Sequence, residues 1–220
     1  MQEKQELFSK KYPITSTVDE AGALTYVVFI FTEIGSPSDF SEVISMLDNT
    51  IVGDTVIFKL NTPGGRFDTT LSILDAIENS KAQTVAEISG DCASAGTFIA
   101  LACDGLYISK NSEFMCHNFS GGSGGKGHEI KAHTEFMLPN NTKLIRRVYK
   151  SFLTKKEIKQ LINGIDFYMG SKEVMERWEN VIEHRIKRSN KLQIAHMKEQ
   201  EMEMIGALEG VGYTITKKED

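Results

Sequence analysis

An α/β fold built on a largely parallel sheet is what the sequence predicts. Three observations carry it: β-branched and aromatic runs of strand length, amphipathic stretches between them, and a β-α-β-α-β order over the first half of the chain. The first strand is "TYVVFIFT" (25 to 32). In the helix that follows, "SPSDFSEVISML", Ser36 serves as N-cap, Pro37 takes the first helical position, and Phe40, Val43, Ile44 and Leu47 share one face. "DTVIFKL" (54 to 60) is a strand ending at the turn "NTPGG", and "TTLSILDAIENS" is a helix with Leu71, Leu74 and Ile77 on one face. A third strand, "TVAEIS", starts at Thr84 and runs toward "GDCASAG" (90 to 96); residues 94 to 103 read as a nearly all-apolar, buried helix. Two short strands, "LYIS" (106 to 109) and "EFMC" (113 to 116), flank a turn at Lys110, Asn111 and Ser112.

Beyond His117 the texture changes to a flexible "NFSGGSGGKG" loop and then mostly helix, with breaks at "LPNN" and "NGIDFYMG". Thr154 and Glu157 form a capping box for "KKEIKQLI", and Ser171 caps a further helix through Val181. The stretch from His184 to Gly210 is a charged helix candidate, and "KKED" a frayed tail.

With 220 residues, 40% hydrophobic and 25% charged, the chain suits one soluble domain, or one with an appended element. No apolar run reaches membrane-spanning length and the N-terminal "MQEKQELFSKKYPITS" lacks a signal-peptide core, so the expectation is a cytoplasmic protein without a membrane partner. A net charge of −5 and the absence of a basic stripe argue against a nucleic-acid partner. Cys92, Cys103 and Cys116 contain no CxxC pair, which predicts reduced, buried thiols and neither a disulfide framework nor a metal site. No cofactor motif survives inspection. A P-loop at "GGSGGKG" fails because Gly127, not Ser or Thr, follows Lys126.

The chemistry points to Ser94. A serine needs a base to take its proton and donors to hold the oxyanion, and this one lies where a strand turns into a helix. The unpaired N–H of Ala95 at that helix N-terminus is a natural oxyanion donor. A second donor comes from "NTPGG", at the carboxyl end of the neighbouring strand, with Gly65 preferred over Gly64. Among His117, His128, His133, His184 and His196, only His117 ends a buried strand; the other four sit in polar helical surroundings. Cys116 is the rival nucleophile, but adjacent strand residues face opposite ways, which leaves it a structural role. The acid that would orient the imidazole is Asp166, with Asp104 the alternative. The α/β-hydrolase elbow fails because Cys92 stands where glycine is required.

Taken together, "FKLNTPGG", "ISGDCASAGTFIALACDG", "NSEFMCHN", "GGKGHEIKAH" and "GIDFYMGSKEVME" stand in the order and spacing of the proteolytic subunits of Clp-type ATP-dependent proteases, and the chain resembles that family from about Tyr26 to about Ile182. The resemblance implies a crotonase-like fold of stacked β-α units with a protruding helical handle at about 124 to 163. It divides the chain into an N-terminal segment (1 to 24), a protease domain (25 to 182) and a C-terminal helical extension (183 to 220). By position it makes Ser94 the nucleophile, His117 the base, Asp166 the orienting acid, and the N–H groups of Gly65 and Ala95 the oxyanion hole. It further implies polypeptide substrates, a homo-oligomer of two stacked rings of seven, an AAA+ ATPase that feeds the chamber, and a strand contributed to the handle by the glycine-rich segment after His117. The chain departs from the family in having Ala95 for the usual Met, "HNF" for "HQP", Lys172 for a proline and "ERWENV" for "EYGLVD". Those departures imply a divergent member, as a phage would encode. Two other readings compete: a phage head-maturation protease of the same fold working without an ATPase, and a non-proteolytic crotonase-fold protein or inactive ring subunit.

Overall fold

The structure, a computed structural model, describes residues 11–122 and 124–210. Contacts divide the chain into two units, Met1–Trp178 and Glu179–Asp220. The first contains a seven-stranded sheet in the strand order Ile14–Val18, Leu24–Ile30, Thr55–Thr62, Gln83–Ala93, Glu113–Cys116, Phe167–Gly170, with Gly105–Ile108 also pairing Gln83–Ala93. β2 (Leu24–Ile30), β3 (Thr55–Thr62) and β4 (Gln83–Ala93) are parallel neighbours. Their connections are a 3-10 turn (Pro37–Phe40) leading into α1 (Ser41–Asp48), and α2 (Phe67–Asn79). These are the elements the β-α-β-α-β order predicts.

Alternation decides how the sheet packs. Val56, Phe58, Leu60 and Thr62 of β3 are buried, and so are Thr84, Ala86, Ile88 and Cys92 of β4. Ile73 and Leu74 of α2 and Phe98 and Ile99 of α3 (Ala95–Ala102) complete the core. The opposite face carries polar pairs such as Lys59–Glu87 at 3.1 Å. Asp54 ties the strand starts together by accepting the N–H groups of Leu24 and Ile51, each at 2.9 Å; those two bonds hold its carboxyl below the usual range.

β4 changes partner along its length. Val85–Ile88 pair with β5 (Gly105–Ile108), and Asp91–Ala93 pair with β6 (Glu113–Cys116). Between those segments the β3–β4 register slips by two residues, from Leu60↔Ile88 to Thr62↔Cys92. Gly90 sits in that bulge at φ +102°, with the Asn61 side chain pressed where a Cβ would go. The bulge lets the end of β4 reach β6 and carries Ser94 to the sheet's edge.

Four features differ from the sequence-based expectations. β1 (Ile14–Val18) is an antiparallel edge strand inside the N-terminal segment, to which the sequence reading assigned no element. β7 (Phe167–Gly170) pairs antiparallel with β6 within a stretch read only as a helix break. α4 (Gly127–Val148) runs straight through "LPNN" with Pro139 inside, because loss of one backbone bond is tolerated where neighbouring turns continue. No strand forms among the described residues from His117 to Lys126, where glycines are frequent and no partner strand is adjacent.

Of the 22 residues of α4 only Leu144 and Ile145 are buried, as a protruding handle requires. α5 (Lys155–Ile162) starts at the expected capping box: Glu157 N–H donates to Thr154 Oγ1 at 3.2 Å, and Thr154 N–H to Glu157 Oε2 at 2.7 Å. α6 is continuous over Ser171–Gly210, longer than the two helices expected there. In the second unit its apolar side chains Ile186, Leu192, Ile194 and Met197 are exposed. No helix among the described residues is long and apolar enough to cross a membrane. "KKED" lies outside the described residues.

Arg177 of α6 reaches α5 through Glu157 (2.7 Å) and pairs within its own helix with Glu173 (2.9 Å). The Arg177 bond holds the Glu157 carboxyl down at about 2, against an ordinary 4.5. A depressed carboxyl stabilises the fold at pH above 4.5 and ceases to do so as pH falls toward 2. Thermal melts of the wild type are therefore expected to lose about 2–4 °C more across that window than melts of Glu157→Gln, the shift of ~1 kcal/mol once solvent screening is counted. Parallel curves for the two proteins would contradict this.

Candidate active site

Two turns meet at the carboxyl ends of β3 and β4. The first is Pro63–Gly64–Gly65, shaped by Thr62: its hydroxyl donates to Thr32 C=O at 2.7 Å and accepts Gly64 N–H at 3.1 Å. Ile34 then clamps the turn, its N–H reaching Gly64 C=O at 2.7 Å and its C=O accepting Arg66 N–H at 2.8 Å. Gly65 N–H, between those bonds, donates to no carbonyl among the described residues. Glycine is required at both positions. Gly64 has φ +96° with Ser94 Cβ only 2.7 Å from where its own would stand, and Gly65 has φ +152° with the Ile34 backbone filling that space.

The second turn is the elbow at Ser94, which has φ 53° and ψ −121°, outside the regions a non-glycine residue prefers and a cost of order 1–3 kcal/mol. Its N–H donates to Met115 C=O at 2.9 Å, fastening the elbow to β6. Ala95 begins α3, so its N–H is one of the helix's unpaired donors. Gly96 lets α3 approach β3, since a Cβ there would stand 2.7 Å from Thr62 Cγ2.

His117 follows β6 and brings Nε2 to 2.6 Å from Ser94 Oγ. The serine hydroxyl donates in this pair when the imidazole is neutral and carries its hydrogen on Nδ1. That tautomer is what an acid at Nδ1 would select. Extending the β6–β7 ladder one step past Cys116↔Phe167 puts Asp166 opposite His117 in register, but its carboxylate is exposed and makes no hydrogen bond to the imidazole. Asp104 is committed elsewhere: its Oδ2 accepts both the N–H and the hydroxyl of Thr84, each at 2.9 Å.

The rival nucleophiles are inert. Cys92, Cys103 and Cys116 are buried and form no disulfide. Burial pushes the Cys116 thiol up to about 12 and the Cys92 thiol well above its ordinary value, so both remain protonated at neutral pH. His128 and His133 are exposed and His184 is half-buried; the His196 side chain lies outside the described residues. Neither His128 nor His133 joins the Ser94 cluster.

Ser94, Ala95, Gly65 and His117 line one cavity of about 480 Å³. Phe67, Phe98, Met115 and Phe119 give it an apolar wall, with the Phe67 and Phe119 rings 4.3 Å apart and edge-on. Phe67 and Phe119 also border an adjoining cavity of about 390 Å³ beside α4. One contributor escaped the sequence reading. Asn118 donates to Ile162 C=O at 2.9 Å and accepts Phe119 N–H at 2.8 Å, fastening the chain after His117 to the end of α5, shortly before Asp166. A polar residue beside the base was the only signal in the sequence.

This arrangement can deprotonate a serine beside two unpaired backbone N–H groups, the requirement of acyl transfer. The family model described as Clp protease matches residues 17–178. The ATP-dependent Clp protease proteolytic subunit of Streptococcus suis (strain 98HAH33) is 30% identical over 126 residues, 54% of this chain and 63% of the relative. The match thus spans under two thirds of that relative's length. With the family match covering most of the chain and the sheet, elbow and handle in place, the protein belongs to the Clp protease family and has its crotonase-like α/β fold.

Proposed function

We propose that the protein is a serine endopeptidase acting through an acyl-enzyme at Ser94, within a protease domain of residues 25 to 182 that carries a C-terminal extension. The observation that carries this is the 2.6 Å contact between His117 Nε2 and the hydroxyl of a strained serine at a helix N-terminus, inside a cavity large enough for an extended peptide. His117 takes the Ser94 proton as Oγ attacks the scissile carbonyl carbon. The N–H groups of Gly65 and Ala95 hold the oxyanion. His117 then passes the proton to the leaving amine, and a water repeats the sequence to release the acid. Asp166 engages His117 Nδ1 and steadies the imidazolium. Such bonds tighten when substrate or a neighbouring subunit closes the site, which fits an acid that stands in register yet exposed.

Polypeptides are the substrate class and a ring-shaped homo-oligomer of heptamers the working form, fed by an AAA+ ATPase in the cytoplasm. Family membership and the name of the Streptococcus suis relative support this part. A fluorophosphonate probe followed by peptide mapping tests the chemistry: wild type is expected to label at Ser94, His117→Ala about 10³-fold more slowly, and Asp166→Asn at least about 10²-fold more slowly. Absence of labelling on wild type assembled as rings by mass photometry overturns it.

A further inference from the structure

Behind the elbow lie two buried hydroxyls to which the reaction steps give no part. Thr97, in the first turn of α3, donates its hydroxyl proton to Ser94 C=O at 2.6 Å, and its N–H reaches the same oxygen at 3.0 Å. Tyr149, at the inner end of α4, is 0% exposed and brings its Oη to 2.6 Å from Thr97 Oγ1. A carbonyl only accepts and a hydroxyl carries one proton. The Thr97 proton is therefore committed to Ser94, and Tyr149 is the donor in the second bond. Burial raises the Tyr149 phenol well above its ordinary pKa, so that proton stays in place. The edge-on Phe98 ring, 5.2 Å away, holds the phenol from the side.

A threonine bonding to the carbonyl three residues back is common in helices and decides nothing by itself. What matters is the peptide group it holds. Within a planar trans peptide, the C=O of Ser94 and the N–H of Ala95 point to opposite sides. Drawing the carbonyl inward toward Thr97 therefore turns the Ala95 N–H outward to the cavity. Ser94 occupies φ 53° and ψ −121°, a conformation with no intrinsic preference to sustain it, so the peptide plane depends on its bonds.

We propose that Thr97 and Tyr149 are positioning residues that lock the Ser94–Ala95 peptide with its N–H facing the cavity, so that the inner end of the handle helix α4 sets the oxyanion hole. This rests on the serine-peptidase reading of the site. Tyr149 and Thr97 lie 52 residues apart, which makes the bond between them a direct link from handle to nucleophile elbow.

The test is hydrolysis of a fluorogenic peptide, with labelling of Ser94 by a fluorophosphonate, in assembled wild type, Thr97→Val, Thr97→Ser, Tyr149→Phe and the Thr97→Val/Tyr149→Phe double variant. Removing an oxyanion donor outright costs about 10²–10³ in kcat. A donor present but no longer held is expected to cost about 10–50-fold in kcat in Thr97→Val, with KM within about twofold. Thr97→Ser keeps the hydroxyl and recovers to within about threefold. Tyr149→Phe loses about 5–10-fold alone and nothing further on Thr97→Val, where the chain is already broken. If Thr97→Val does not fold, Tyr149→Phe, which deletes a single oxygen, decides. Variants that melt lower but keep wild-type kcat overturn the proposal, as do losses that multiply independently. A wild type that neither labels nor hydrolyses removes the peptidase reading and this proposal with it. An active wild type with unaffected variants removes the proposal alone.

Discussion

Ser94→Ala is expected to lower kcat for peptide hydrolysis by about 10⁵-fold or more while leaving the melting temperature within about 2 °C of wild type. The size of the loss follows from the absence of a substitute nucleophile. Cys92 and Cys116 are the nearby thiols, and both are buried and held as neutral thiols by desolvation. The small effect on stability follows from the hydroxyl's surroundings: its hydrogen bond goes to His117, while the elbow is fastened through backbone groups, Ser94 N–H to Met115 C=O and Thr97 N–H to Ser94 C=O. Alanine keeps all of those. Peptidase assays and thermal melts on assembled protein measure both quantities. A Ser94→Ala protein keeping more than about 1% of wild-type turnover would show that another group carries the reaction.

The sequence made β2, β3, β4 and α3 legible because each buries an uninterrupted or strictly alternating apolar set, and burial is what periodicity records. β1 escaped because "ITSTV" is half polar; it is ordered as an edge partner of β2, from which Asp54, 30 residues beyond Leu24, accepts the first N–H. β7 escaped for a related reason. Its four residues follow a turn and acquire strand character only by pairing with β6. Within the site, the pairing of Ser94 with His117 was foreseeable, since an elbow before an apolar helix and a histidine at a strand end both open onto the carboxyl edge of the sheet. The orientation of Asp166 was not, because its backbone register is set by β6 and β7 whereas its side-chain direction depends on contacts outside one chain's local sequence. The hydroxyl chain through Thr97 and Tyr149 was beyond reach for a simpler reason: nothing local in "GTFIA" or "RRVYK" marks two hydroxyls as partners.

Gly65→Ala is expected to lower kcat by about 10²–10³-fold, the scale of losing one oxyanion donor, and to lower the melting temperature as well. Both effects have one origin. At φ +152° a Cβ is strained wherever it points, and here it points into the backbone of Ile34, which cannot swing aside as a side chain could. Ile34 N–H and C=O make the two bonds, to Gly64 C=O and from Arg66 N–H, that fix the Gly65 backbone where it lines the cavity. Relief of the clash must stretch at least one of them, and the donor then turns away from the position where the oxyanion forms. A left-handed penalty of about 1–2 kcal/mol corresponds to about 2–8 °C in a chain of this length. Gly64→Ala provides the comparison. Its Cβ would press on Ser94 Cβ and Ala95 N, so it disturbs the nucleophile and not the donor alone, and labelling by a fluorophosphonate should slow at least as much as in Gly65→Ala. A Gly65→Ala protein that melts lower but turns over at the wild-type rate would detach the "NTPGG" turn from catalysis, leaving Ala95 as the donor on which the oxyanion depends.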